Sequence, residues 1–236
     1  ELPSETGEVA PPRMLDPADV GLVLRHGQRI ASFSSGDGSR FDELMKGGQR
    51  RLNNGEYFWA EKRFDRALRF TPGHPLASAG LAHSQIGAGL HLTAALTLKT
   101  LMGFQPEMID VRYAPELLPL AADLDREIRQ LQARLADPTA ANRSELGFLL
   151  AYLGHQTDRA ELIREGLNAM TAANADPVFT DILRRVWLPS EDIELPAIQL
   201  PAAVVTPDTV VEDVIEDPVG EEAPPVQLEP LLDPED

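Results

Sequence analysis

The chain has 236 residues, with 21 Lys and Arg against 38 Asp and Glu, a formal charge of −17 and no cysteine. The missing cysteines exclude disulfides, thiolate metal sites and a cysteine nucleophile, and without a run of 18 apolar residues no membrane span is predicted. The acidity is uneven: Pro189 to Asp236 holds 14 acidic residues and no Lys or Arg, which leaves 24 acidic against 21 basic residues before it. An acidic segment attached to a body without basic excess makes nucleic acid a poor partner.

Residues 1–15 are rich in Pro and Glu and read as a flexible leader. The chain begins at Glu1 rather than Met. The compartment therefore stays open: a soluble chain in the cytoplasm, or on the periplasmic or envelope side if a signal or anchor was removed. Asp16-Pro17 reads as a helix start, followed by Val20, Leu22, Val23, Leu24 and Ile30, before the loop Ser34-Ser35-Gly36-Asp37-Gly38-Ser39.

Four helices are predicted next, roughly Arg40 to Asn53, Glu56 to Phe70, Pro75 to Ala88 and His91 to Gly103. The second carries the pattern that organises the chain: Gly55 breaks before it, Ala60, Phe64, Ala67 and Leu68 recur at helical spacing, and Pro72 closes it. Thirty-four residues on, Gly89, Ala94, Leu98, Leu101 and Pro106 repeat Gly55, Ala60, Phe64, Ala67 and Pro72. The first helix of each pair carries Leu44, Gly47 and Gly48, or Leu81 and Ala82. A third match runs through Leu146, Gly147, Leu150, Gly154, Ile163 and Gly166, with Gly154 standing for Gly89 and Arg159 where a small residue is usual. Before it, Leu117, Ala121, Leu124, Ile128, Leu131 and Leu135 predict an inserted helix from about Glu116 to Ala136. One extra helix would reverse the pair that follows, whereas a short second helix within 109–119 would restore the alternation. The third pair is expected at Pro138 to Leu153 and Thr157 to Ala172. A capping helix follows at Pro177 to Trp187. Residues 189–236, with nine prolines and no aromatic residue, are expected to be a disordered tail.

This offset and these residue types resemble the tetratricopeptide repeat, a helix–turn–helix unit of about 34 residues. The units would span about 41–74, 75–108 and 140–173. The resemblance implies an all-α fold over residues 16–188, a right-handed stack of antiparallel helical hairpins whose first helices line a groove for a partner's peptide or helix. Carried over by position, it points to Asp42, Met45, Gln49, Leu52 and Asn53 in the first unit and to Leu76, Ala79, His83, Ile86 and Gly87 in the second. The wall is mostly apolar and lacks the Lys/Asn set with which some family members hold a terminal carboxylate.

Other motifs read more plainly. Arg25-His26-Gly27 resembles the signature of the histidine phosphatases, but nothing after residue 40 alternates strands with helices as such an enzyme requires. His74, His83, His91 and His155 lack the i, i+4 pairing of helical zinc ligands and read as surface or turn residues, His83 excepted for its groove position. Tyr57-Phe58-Trp59 reads as packing, and Asp123-Leu124-Asp125-Arg126-Glu127 as a solvated face. No catalytic residue, metal or cofactor is expected. The function this implies is a non-catalytic adaptor or scaffold that binds a protein partner. The alternatives are a structural subunit of a larger assembly and, far behind, a phosphatase using Arg25-His26-Gly27. The oligomeric state stays open.

Overall fold

The computed structural model describes residues 29–188. The leader, most of the first expected helix, the Arg25-His26-Gly27 motif and the acidic segment lie outside them. The described residues are mostly helical, with eight α-helices. The first four are α1 (Arg40–Asn53), α2 (Tyr57–Phe70), α3 (Pro75–Gly87) and α4 (His91–Phe104). They match the sequence pattern to within a residue because their ends are written locally. The Ser39 hydroxyl accepts from the Asp42 N–H to cap α1, and Pro75 sits in the first turn of α3 behind a His74 cap. Gly55 and Gly89 take φ of 73° and 74° in the turns before α2 and α4, a conformation that costs glycine little.

Each of these helices packs on the next. Phe64 shows why glycine and alanine stand where they do. It is fully buried, and a Cβ on Gly48 of α1 or Gly80 of α3 would lie 2.7 or 2.5 Å from its ring. Ala60 and Ala67 are buried beside it, as are Ala94, Leu98 and Leu101 at the matching places in α4. Pro72 follows α2, and Pro106 opens a 3₁₀ turn, Pro106–Met108, after α4.

The chain then crosses through a two-residue strand, Arg112–Tyr113, and a second 3₁₀ turn, Pro115–Leu117, into α5 (Ala121–Leu135). The short helix considered for 109–119 is thus a single 3₁₀ turn, and α5 is shorter than expected. Ile30 does not end a helix: Arg29–Ile30 forms strand β1, which pairs in parallel with β2, Arg112–Tyr113. Helices α6 (Arg143–Gln156), α7 (Ala160–Ala172) and α8 (Pro177–Trp187) complete the described residues. α6 packs on α4, α5 and α7, and α8 packs on α7.

Helix α6 starts five residues later than expected. The Asp137 carboxylate turns back to accept from the Thr139 N–H and hydroxyl, 2.8 and 2.7 Å, and Asn142 holds φ at 58°. The register of the third match also changes. Gly154 lies inside α6, not in a turn; the turn residue is Asp158, φ 57°, two places before α7 as Gly89 is two before α4. Leu167, not Ile163, therefore corresponds to Phe64. Leu146 and Ile163 are buried, and Gly147, Gly154 and Gly166 form the contact between α6 and α7, where added Cβ atoms would strike the opposite backbone.

Candidate interaction surface

The side chains expected to line a groove are mostly covered by the chain itself. Met45, Leu52, Ala79, His83 and Ile86 are fully buried, and Gly87 lies against the Tyr57 ring. Asp42 is buried too. Its carboxylate accepts from Ser34 Oγ, from Gly36 N at 2.9 Å and from Gly38 N at 3.3 Å, and meets Lys46 Nζ at 2.9 Å. The Ser34 hydroxyl and the Lys46 ammonium hold it well below the usual carboxylate range. Gln49 and Leu76 are half-buried and only Asn53 is exposed. Gln49 Oε1 accepts from the backbone N–H of Phe33 at 3.1 Å.

The covering comes from two segments. Phe33 buries its ring edge-on to Phe64, centroids 5.2 Å apart, and close to Tyr113. The Pro115–Leu117 turn packs on α1, and α5 packs on α3 and α6. A wall of apolar residues in sequence does not reveal what lies over it, and here the insert removes it from solvent. These positions belong to the core.

The histidines are corrected as well: His83, His91 and His155 are buried. His83 Nδ1–H donates to the Leu117 carbonyl at 2.6 Å, so its neutral ring leaves Nε2 to accept from the Tyr152 hydroxyl at 2.7 Å. Burial pushes its pKa down to about 4. His155 stacks on Trp187, centroids 5.1 Å apart, without a well-formed hydrogen bond at either ring nitrogen. Burial, with Arg112 nearby, pushes it down to about 3. His91 Nε2–H donates to Glu127 at 2.8 Å, with both side chains 3% exposed. The segment expected to be solvated thus carries a buried carboxylate.

Tyr57 and His91 stand one repeat apart, at the first position of α2 and α4, and both reach the insert. The Tyr57 hydroxyl donates to Asp123 at 2.5 Å and accepts from the Leu120 N–H at 3.2 Å, whereas His91 meets Glu127, one turn further along α5. The third pair also touches the insert: the Gln156 amide accepts from Tyr113 N and donates to the Val111 carbonyl, both 3.0 Å. Trp187 Nε1–H donates to the Ile109 carbonyl at 2.9 Å. These polar groups hold the insert in place.

The outward side of α2 and α4 differs. Tyr57 packs as expected, but Phe58 and Trp59 do not: they are 59% and 56% exposed, and Phe70 and Phe104 are 62% and 74% exposed. Phe58, Trp59, Lys62, Arg66, Arg69 and Phe70 share the exposed arc of α2 opposite Tyr57, Ala60, Phe64 and Ala67. The exposed positions of α4 repeat the arc at the same offset: Thr93, Leu96, Thr100, Gly103 and Phe104. The Gln85 amide bridges the two helices, donating to Glu61 at 3.2 Å and accepting from Thr97 at 2.9 Å. At their ends Gln105 Nε2 donates to the Gly73 carbonyl at 2.8 Å, tying the loops that follow Phe70 and Phe104. Sequence held a signal for this pair, since both phenylalanines stand two residues before the closing proline, one repeat apart.

No group of three or more His, Asp or Glu that could hold a metal occurs among the described residues, and none of their helices is long and apolar enough to cross a membrane. No protein-family model, curated protein or solved structure matches the chain.

Proposed function

We propose that the chain is a non-catalytic protein-interaction module, an adaptor or scaffold built as a right-handed stack of tetratricopeptide-like hairpins, which binds its partner on the outer face of α2 and α4. The observation that carries this reading is the repeated exposure of Phe70 and Phe104, joined by Phe58, Trp59 and Leu96 on the same two helices. Isolated surface hydrophobes need no explanation, but an aligned set on rigid helices marks a contact surface. With the inner side filled by the chain's own insert, the outer face is the side left to offer.

Photocrosslinking tests the reading. A benzoylphenylalanine at Phe70 or Phe104 of the full chain should trap one shared partner from an extract of the source cell, and the same group at exposed Thr139, beyond α5, should not. Phe70→Ser with Phe104→Ser should abolish that partner's binding while the helical circular dichroism stays unchanged. Equal adducts at all three positions, or a partner retained by the double variant, would refute it.

A further inference from the structure

We infer that the occupant of the outer face, granted the interaction reading above, is an acidic polypeptide segment with an apolar residue at each end. Along α2 the exposed side chains run Phe58, Trp59, Lys62, Arg66, Arg69, Phe70, with aromatic residues at both ends and cations between. Phe58 and Phe70 are twelve residues apart, so the row spans about 18 Å at about 1.5 Å per residue. Phe104 widens the far end through the Gln105–Gly73 hydrogen bond. An extended ligand advances about 3.3 Å per residue. Two apolar side chains about five or six residues apart therefore reach both aromatic ends, and the residues between them lie along the cations.

The cations are held ready for carboxylates. Lys62 Nζ sits 4.5 Å from the centroid of Trp59 and the Arg51 guanidinium 5.6 Å from it, which orients both beside an aromatic anchor. Arg69 is paired with Asp65 and Arg51 with Glu56, but among the described residues neither Lys62 nor Arg66 forms an ion pair. The matching positions of α4 before Phe104, namely Thr93, Leu96, Thr100 and Gly103, carry no charge, so the cationic strip belongs to α2. On a chain of formal charge −17 such a strip is a local inversion of sign, and charges so arranged select partners more than they add affinity. The strip is a single row of cations about one helical turn apart. That geometry fits carboxylates along a peptide better than the two-dimensional array of an anionic bilayer.

The test uses the full chain and three fluorescein-labelled ten-residue probes, each with Leu and Phe six residues apart, joined by Glu, Ser or Lys. By fluorescence anisotropy the Glu probe should bind at least tenfold more tightly than the Ser probe, and the Lys probe more weakly than either. Lys62→Glu with Arg66→Glu should reverse the order of the Glu and Lys probes. Phe58→Ser and Phe70→Ser should each weaken the Glu probe several-fold. Equal binding of the Glu and Ser probes would overturn the acidic ligand while leaving the contact surface standing, since that surface fails only if the Phe70 and Phe104 crosslinks fail. Saturable binding by none of the probes would also overturn it. So would sedimentation of the chain with phosphatidylserine vesicles, if lost in the Lys62/Arg66 variant, because it would give the face to a membrane.

Discussion

Phe64 is the side chain on which the packing of α1, α2 and α3 can be tested most sharply. Replacing a fully buried phenylalanine by alanine costs about 3–5 kcal/mol, and the edge-on contact with Phe33 places Phe64→Ala toward the upper end. In a chain of this size each kcal/mol lowers the melting temperature by about 2–4 °C, so a fall of about 8–20 °C is expected. The neighbouring glycine turns this into a test of geometry. At Gly80 a new Cβ would stand 2.5 Å from the Phe64 ring, and overpacking of that kind costs about 1–3 kcal/mol. Part of the cost is offset by the gain of about 1 kcal/mol when alanine replaces glycine inside a helix. Gly80→Ala should therefore be neutral to destabilising by about 2 kcal/mol on its own. In the Phe64→Ala background the methyl group enters vacated space and should stabilise by about 1 kcal/mol. The favourable coupling, measured by urea denaturation followed at 222 nm, should reach about 1–3 kcal/mol. Additivity within about 0.5 kcal/mol, or a Phe64→Ala loss below about 1 kcal/mol, would refute the packing.

Two further predictions concern the buried polar groups. Because the folded pKa of His83 is lowered to about 4 from an unfolded value near 6.5, the unfolded chain binds the extra proton between those values. His83 therefore costs nothing above about pH 6.5 and removes about 3 kcal/mol by pH 4. His155, lowered to about 3, acts in the same direction to a still lower pH. His155→Phe keeps the stack on Trp187 and removes one titrating group, so it should flatten the fall in stability between pH 6 and 4. A slope no smaller than that of the parent would show that His155 is solvated. His91→Ala leaves the Glu127 carboxylate buried, with Arg126 as its remaining cation, and should cost about 3–5 kcal/mol, whereas His91→Leu with Glu127→Met should come close to the parent. Equal losses in the two variants, measured by chemical denaturation, would count against an α4–α5 polar clamp.

The helices were legible because their signals are local. The Asp176-Pro177 start, turn glycines at Gly55 and Gly89 and the spacing of Ala60, Phe64 and Ala67 each act within a few residues, and the ends of α1 and α8 fall where the sequence places them. The third pair was harder to read. Its turn uses Asp158 in the left-handed conformation, so the nearest glycine, Gly154, drew the match four residues out of register. Phe58 and Trp59 read as packing but are exposed, because an aromatic residue in a helix reads the same whichever side it faces.

By itself the sequence determined most of the helices between residues 40 and 187 and the 34-residue offset shared by the first two pairs, since periodicity, capping and backbone freedom are properties of neighbouring residues. Only the tertiary structure decided which helix faces meet solvent. Phe33 lies 31 residues from Phe64, Leu117 lies 34 from His83, and Trp187 lies 78 from the Ile109 carbonyl it binds. The insert covers the apolar residues of the first helices because its Leu117 and Leu118 join their core while Asp123 and Glu127 find Tyr57 and His91. A buried polar group is stable only where its partner arrives, and that arrival is a property of the folded chain.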